Sequence, residues 1–258
     1  MLDNGIIEIS TGGSGGGGGA SYWPDAPPKF PSAWDDEFNS ATPSGLWTNC
    51  TTYAQVGTVL AGTAHVTSAN TTRFPGWFQS TLNSVASDTW WAMTEPFAPG
   101  NVAYSVTVKV GMWVYRNTYF TLFINNGVSG AADGVEAKFG GASFNFAPQV
   151  IFASTDSGTE TSRYSYVPGN SHQNYPAFDG NVFLHLQCDT SSNWTMWVSS
   201  NGVSWVNVMN PTTVNNVSTT YSKVFTATQI VLNHDIASEG VQSQCAIDWI
   251  RVNWLTLP

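Results

Sequence analysis

Side chains able to do covalent or metal chemistry are sparse in this chain and poorly spaced for it. The four histidines, His65, His172, His185 and His234, form no H-E-x-x-H run and no paired spacing, so the pattern of a catalytic zinc is missing. There is no G-x-S-x-G elbow for a nucleophilic serine. His234 and Asp235 are adjacent, which on an extended segment puts them on opposite faces, and they are expected in a loop that follows a strand. His185, inside F-L-H-L-Q, is expected on the polar face of a strand. Cys50, Cys188 and Cys245 are odd in number and widely separated, which fits neither a disulfide framework nor a zinc site and points to buried free thiols. What remains is aromatic and amide chemistry. Sugar rings lay their apolar faces on Trp and Tyr, while Asn, Asp and Gln bond the hydroxyls. Tyr164, Tyr166, His172, Asn174 and Tyr175 in TSRYSYVPGNSHQNY, with Trp91 of the Trp90-Trp91 pair, are the residues that suit such contacts. The segment from about residue 154 to 180 is long and lacks strand pattern, so it reads as a loop, either a ligand-contacting one or a packed surface or subunit contact.

The composition says what frame must hold these residues. Of 258 residues only 10% are charged and 42% are hydrophobic, with 12 Trp, 9 Tyr and 14 Phe, which is ample for a core and excludes wholesale disorder. Eight Lys and Arg against 17 Asp and Glu leave a formal net charge of −9. So few cations argue against nucleic acid and against an anionic membrane surface as partners. No stretch approaches about 18 consecutive apolar residues, so no membrane-spanning helix is expected. Residues 1–10 are acidic and lack the basic and apolar regions of a signal peptide, so the expected place of synthesis is a cytoplasm.

Along the chain, residues 1–32 read as an N-terminal anchoring leader. It holds a short strand-like stretch, Gly5 to Ser10, a Gly run over residues 12–19 and the Pro-rich connector Pro24-Asp25-Ala26-Pro27-Pro28. The compact domain is expected over 33–258. There, short runs rich in Val, Ile, Thr and aromatics recur, as in V-A-Y-S-V-T-V-K-V from Val102, and no window keeps a helical period. Asn201-Gly202 between two alternating runs predicts a hairpin with a two-residue type I′ turn. About a dozen such runs predict an all-β protein, an antiparallel two-sheet β-sandwich or jelly roll preceded by the extended leader.

Three stretches in order, Trp34-Asp35-Asp36-Glu37-Phe38-Asn39, Phe183-Leu184-His185-Leu186-Gln187 leading into Asn201-Gly202-Val203-Ser204-Trp205, and Ala246-Ile247-Asp248-Trp249-Ile250-Arg251-Val252, resemble the concanavalin A-like lectin/glucanase jelly roll over roughly residues 33–256. That group includes laminin G-like domains and family 16 glycoside hydrolases. The resemblance implies that the first and last strands lie side by side, with Phe38 and Trp249 closing the core. It also implies a structural Ca²⁺ held by Glu37 and Asp248. Against the ion stands Arg251, three residues on, which alternation puts on the opposite face but which a twist or bulge would let take the metal's place, and the alternative is a plain hydrogen-bonded Asp248. Family 16 hydrolases carry E-x-D-x-E or E-x-D-x-x-E on one strand, and none of Glu8, Glu37, Glu95, Glu136, Glu160 and Glu239 has Asp two positions later. No catalytic residue is therefore assigned. The leader ahead of D-D-E-F resembles bacteriophage structural proteins. Together these imply a non-enzymatic virion-surface protein, anchored to other virion proteins through residues 1–20, homo-oligomeric, and displaying a lectin-like jelly roll toward host surface polysaccharide. The alternatives are a structural decoration protein without glycan affinity and a polysaccharide hydrolase with a carboxylate pair drawn from distant strands.

Overall fold

The computed structural model describes residues 35–36, 47–50, 65–67, 78–82, 88–93, 99–100, 102–112, 118–128, 131–141, 148–166, 182–200, 202, 205–209, 219–236 and 243–255. Among them every regular element is a strand: β1 (Trp47–Cys50), β2 (His65–Thr67), β3 (Phe78–Leu82), β4 (Asp88–Met93), β5 (Ala103–Met112), β6 (Thr118–Asn125), β7 (Gly134–Gly141), β8 (Pro148–Asp156), β9 (Thr159–Tyr166), β10 (Val182–Cys188), β11 (Asn193–Ser199), β12 (Val206–Asn207), β13 (Tyr221–Ser222), β14 (Gln229–Ile236) and β15 (Ser243–Leu255). They form two antiparallel sheets. One runs β1-β4-β14-β6-β7-β8-β9 and the other β12-β11-β10-β5-β15-β3-β2, with β13 beside β11. The leader and its linker lie outside the described residues, as does Phe38.

Period-two alternation builds the interior. Val106, Val108 and Val110 of β5, Leu184 and Leu186 of β10, Phe120, Leu122 and Ile124 of β6, and Val135, Ala137 and Phe139 of β7 all turn to the space between the sheets and are buried there. Each large apolar side chain so placed contributes roughly 1.5–3 kcal/mol. Trp194 joins this core, stacked on Phe225 at 5.5 Å and edge-on to Tyr104 at 5.8 Å. The chain ends meet as the resemblance implied: Asp36 bridges Ile250, with Asp36 N–H donating to Ile250 O at 3.2 Å and Ile250 N–H to Asp36 O at 2.9 Å. The carboxylate of Asp35 accepts the N–H of Val252, and that of Asp36 accepts the Trp47 indole N–H. Trp249, however, does not close the inter-sheet core. It packs on the outer face of the eight-stranded sheet in a separate cluster with Phe183, Trp197 and Trp205. The reason is a register shift between Ile247 and Trp249 where β15 crosses β5.

Three other expectations are corrected. The segment from 154 is not loop at its start: β8 runs to Asp156, Ser157 and Gly158 turn with φ of 49° and 80°, and β9 returns through Tyr166. His234 and Asp235 lie inside β14 rather than after it. β11 and β12 pair antiparallel on either side of Gly202, but Trp197 pairs with Asn207, one residue beyond the partner a two-residue turn would give. Cys188 and Cys245 are buried free thiols as expected, Cys188 pushed up to about 12 and Cys245 higher still by burial, and so inert.

Candidate functional site

Of the residues expected to contact sugar, Trp91, Tyr164 and Tyr166 fall among the described residues. Tyr164 is half-buried on β9 and packs toward the inter-sheet core, 6.2 Å from Phe152 and 6.5 Å from Tyr221. It is therefore a packing residue rather than a loop aromatic. Tyr166 ends the same strand opposite Val150. Trp91 lies on β4 in register with Asn49 and with Leu232, whose side chain is in the core. β4 and β9 stand five strand spacings apart, roughly 24 Å, so Trp91 and Tyr164 cannot share one small ligand. His172, Asn174 and Tyr175 lie outside the described residues, and so does Glu37.

Asp248, where the resemblance placed calcium, meets a lysine instead. Its Oδ2 is 2.5 Å from Lys109 Nζ. The bulge that moves Trp249 outward also aims Asp248 at Lys109 on the neighbouring strand. Arg251 lies on the same outer face, its guanidinium 5.2 Å from the Trp249 ring centroid. A carboxylate already balanced by an ammonium does not fit a divalent ion, and among the described residues no group of three or more His, Cys, Asp or Glu is placed to hold one.

A different constellation occupies the outer face of the seven-stranded sheet. In Gly134–Gly141 alternation sends Val135, Ala137 and Phe139 inward and Glu136 and Lys138 outward. Register sets Thr121 opposite Lys138 and Phe123 opposite Glu136, with Asn233 and Val231 continuing the rows on β14 and Ile151 and Ala153 on β8. Gly134 is required here, because a Cβ would lie 2.5 Å from a Phe123 ring carbon and 2.4 Å from the Ile124 carbonyl oxygen. The Glu136 carboxylate accepts the Thr155 hydroxyl at 2.5 Å and lies 3.9 Å from Lys138 Nζ. Lys138 donates to both carboxylate oxygens of Glu160, at 2.9 and 2.8 Å, and stands 5.5 Å from the Tyr119 ring centroid. The floor is buried, with Glu136 7% exposed, while the Glu160 side chain is 40% exposed at the rim.

Burial drives the electrostatics. It pushes the Glu136 carboxyl up to about 7, with Glu160 adding to the rise and Lys138 opposing it. For Lys138 burial favours the neutral amine, but Glu136, Glu160 and Asp235 outweigh it and the pKa is raised. Tyr119 is raised by burial. The sequence did contain a signal for this site. In a chain only 10% charged, Glu and Lys two apart on an alternating run mark a polar face. A search restricted to Asp two positions after Glu passes over it.

The eight-stranded sheet's outer face differs. Phe183 lies 6.2 Å from Trp205 and 5.9 Å from Trp249, and His185, 1% exposed, shares a 2.7 Å hydrogen bond with Thr107 and sits 5.7 Å from Trp205. Burial lowers His185 to about 4 and His234, which faces the core, to about 3, so both rings are neutral at pH 7.

No protein-family model matches the chain, and no curated protein matches it by sequence. Solved structures do match. The exoplasmic/lumenal domain of VIP36 in its Ca²⁺/Man3GlcNAc-bound form superposes with a TM-score of 0.56 at 8% identity, covering 87% of this chain and 91% of that one. The carbohydrate recognition domain of Emp47p gives 0.54 at 10%, covering 86% and 96%. A Bacillus licheniformis β-glucanase gives 0.53 at 13%, covering 86% and 97%. The fold is thus the lectin-like, concanavalin A-like jelly roll, found in both lectins and glycoside hydrolases.

Proposed function

We propose that this protein binds carbohydrate without cleaving it, through the outer face of the seven-stranded sheet. The observation that carries the reading is the connected array of Tyr119, Glu136, Lys138, Thr155 and Glu160, with Thr121 in register beside Lys138, an aromatic ring among hydroxyl, carboxylate and ammonium groups with a buried floor that opens at Glu160. The fold it shares with a carbohydrate recognition domain supports the same reading.

Hydrolysis is the second reading, and one observation favours it: Glu136, raised to about 7, has the property of a general acid. Lys138 stands against it. A retaining mechanism needs a second, free carboxylate about 5–5.5 Å away. The position two residues after Glu136 is a lysine, and Glu160 has both oxygens engaged by that lysine.

The setting we propose is a virion surface, with residues 1–20 attaching the chain to other virion proteins or to sister subunits. Its support is the strand-like Gly5 to Ser10, the Gly run and the Pro-rich connector ahead of the jelly roll. Isothermal titration with oligosaccharides, run beside a reducing-sugar assay on the same polysaccharides, tests the function. Binding without sugar release is expected. Turnover abolished by Glu136→Gln would overturn the non-enzymatic reading. Deleting residues 1–20 is expected to leave a folded domain that no longer enters its particle, and unchanged incorporation would remove the anchoring role.

A further inference from the structure

We infer that β9 is the acceptor for the leader, and that residues 5–10 of a second copy of this chain add to it as a further strand of the seven-stranded sheet; this rests on the anchoring role proposed above for residues 1–20. Among the described residues the outermost strands of the two sheets are β1, β9, β12 and β2. Three of them are short, with 4 residues in β1, 2 in β12 and 3 in β2, and so short an edge offers few free backbone groups to another chain. β9 has 8 residues, with β8 on one side and no described strand on the other. Thr159, Glu160, Thr161 and Ser162 are all exposed, so neither side of the strand is covered there. The same four residues hold a regular ladder to β8, from Thr159 opposite Asp156 to Ser162 opposite Ala153. The register shift comes after them and makes Arg163 the extra residue, so the run itself stays extended. Alternate residues of an antiparallel edge strand turn their N–H and C=O away from the neighbour, where a strand laid alongside meets them.

The leader has a sequence that fits this edge. Gly5-Ile6-Ile7-Glu8-Ile9-Ser10 is rich in β-branched residues, and a strand so short is marginal unless it joins a sheet. Residues 11–34 separate it from Asp35 and reach about 80 Å when extended, well beyond the roughly 17 Å radius of gyration of a domain this size. The Gly run supplies freedom and the Pro-rich connector favours extension, so the strand reaches a neighbouring copy. Alternation puts Ile7 and Ile9 on one side of the added strand and Ile6 and Glu8 on the other. An apolar seat lies on the inner side of the β9 edge. Tyr164 and Tyr221 are both half-buried there, 6.5 Å apart, with Phe152 behind them at 6.2 and 5.4 Å. Ile7 and Ile9 turned inward cover these rings. The charges agree as well. Lys223 and Arg163 share the single carboxylate of Asp156, which leaves one positive charge at this corner, while Glu160 is taken up by Lys138. Residues 1–10 carry Asp3 and Glu8 and no Lys or Arg.

The test uses the full chain. Sedimentation equilibrium is expected to show self-association, and Ile7→Asp with Ile9→Asp, which leaves the domain untouched, is expected to weaken it at least tenfold. Cysteine pairs then locate the acceptor. An Ile7→Cys copy is mixed and oxidised with a differently tagged copy carrying Thr159→Cys or Thr161→Cys, with the wild type as blank and melting curves confirming the fold. Cys188 and Cys245 are buried and stay out of the reaction. A disulfide between the two copies is expected at β9, and none with Val102→Cys, which is exposed just before β5. Association that needs the two isoleucines but cross-links away from β9 would overturn the inference and leave leader anchoring standing. A disulfide that forms only when both cysteines share one copy would overturn it too, because the strand then serves its own chain. Association indifferent to the isoleucines, or a monomeric full chain, would equally remove it, and particle incorporation without residues 1–20 decides the anchoring role separately.

Discussion

On the outer face of the eight-stranded sheet Phe183, Trp197, Trp205 and Trp249 close over one another, and their flanking charges are spent locally in the Lys109–Asp248 pair. On the outer face of the seven-stranded sheet the middle positions are Thr121, Glu136, Lys138 and Asn233, and Glu160 opens the cluster to solvent. Both faces come from the same alternation and both are largely buried, but one is closed by aromatic rings, while the other sets polar and charged groups beside Phe123 and Val231 and reaches solvent at Glu160. The difference teaches that aromatic abundance does not locate a binding surface in this chain. Its tryptophans can serve as a second core, and in a chain so poor in charge it is the ionisable groups that mark where polar chemistry gathers.

Trp197→Ala should produce the largest effect. The ring is fully buried at the centre of the sealed face, and its loss should cost about 3–5 kcal/mol in denaturant unfolding. A cost below about 1 kcal/mol would mean that this face is not a packed cluster.

The pH dependence separates the buried carboxyl from the buried histidines by sign. Glu136 titrates near 7 in the folded chain against 4.5 as its ordinary value, so the folded state holds an extra proton between these limits and loses relative stability as pH rises through them. Glu136→Gln removes that loss, and between pH 4.5 and 8 the variant should gain on the wild type by on the order of 3 kcal/mol. His185 and His234 act oppositely. Lowered from 6.5 to about 4 and about 3, they contribute stability that is present above pH 6.5 and lost as pH falls toward those values. Urea titrations from pH 4 to 8 check both limbs, and a Glu136→Gln difference that is flat with pH would contradict the buried carboxyl.

Lys109→Met strips Asp248 of its partner and should cost about 1 kcal/mol, since both side chains are partly exposed. The same account expects a calcium chelator to leave the melting midpoint of the wild type unmoved. A shift of several degrees would put a metal ion back into the fold.

The smallest expected effect is a gain. The Thr195 hydroxyl on the sealed face is buried without a hydrogen-bond partner, so Thr195→Val should raise stability by up to about 1 kcal/mol. A loss of that size would mean that the hydroxyl is bonded.

Particular elements show what was legible. Val182–Cys188 and Thr118–Asn125 were readable to the residue, because a buried central strand and a clean alternation leave little choice of frame. The edge strand β9 was not. Thr159–Tyr166 is mostly Ser, Thr and charged residues, and its extension is imposed by pairing with β8 rather than by propensity. Val224-Phe225-Thr226 carries strand-favouring residues, yet Val224 is 80% exposed and β14 begins only at Gln229. Half of the candidate site was visible as Glu136-x-Lys138. Glu160 was not, because it reaches Lys138 from two strands away across the β8–β9 ladder, whose register shifts between Phe152 and Ala153. Contacts set by a shifted ladder leave no trace in local spacing.

The central claim is that the seven-stranded face, and not its aromatic counterpart, meets carbohydrate. Amide chemical shifts of isotope-labelled protein, followed through titration with a neutral hexasaccharide that binds, test it most directly. Changes confined to β6, β7, β8, β9 and β14, with the largest around Tyr119, Thr121, Glu136 and Lys138, are the predicted result. Changes centred on β5, β10, β11 and β15 around Phe183 and Trp249, with β7 silent, would contradict it.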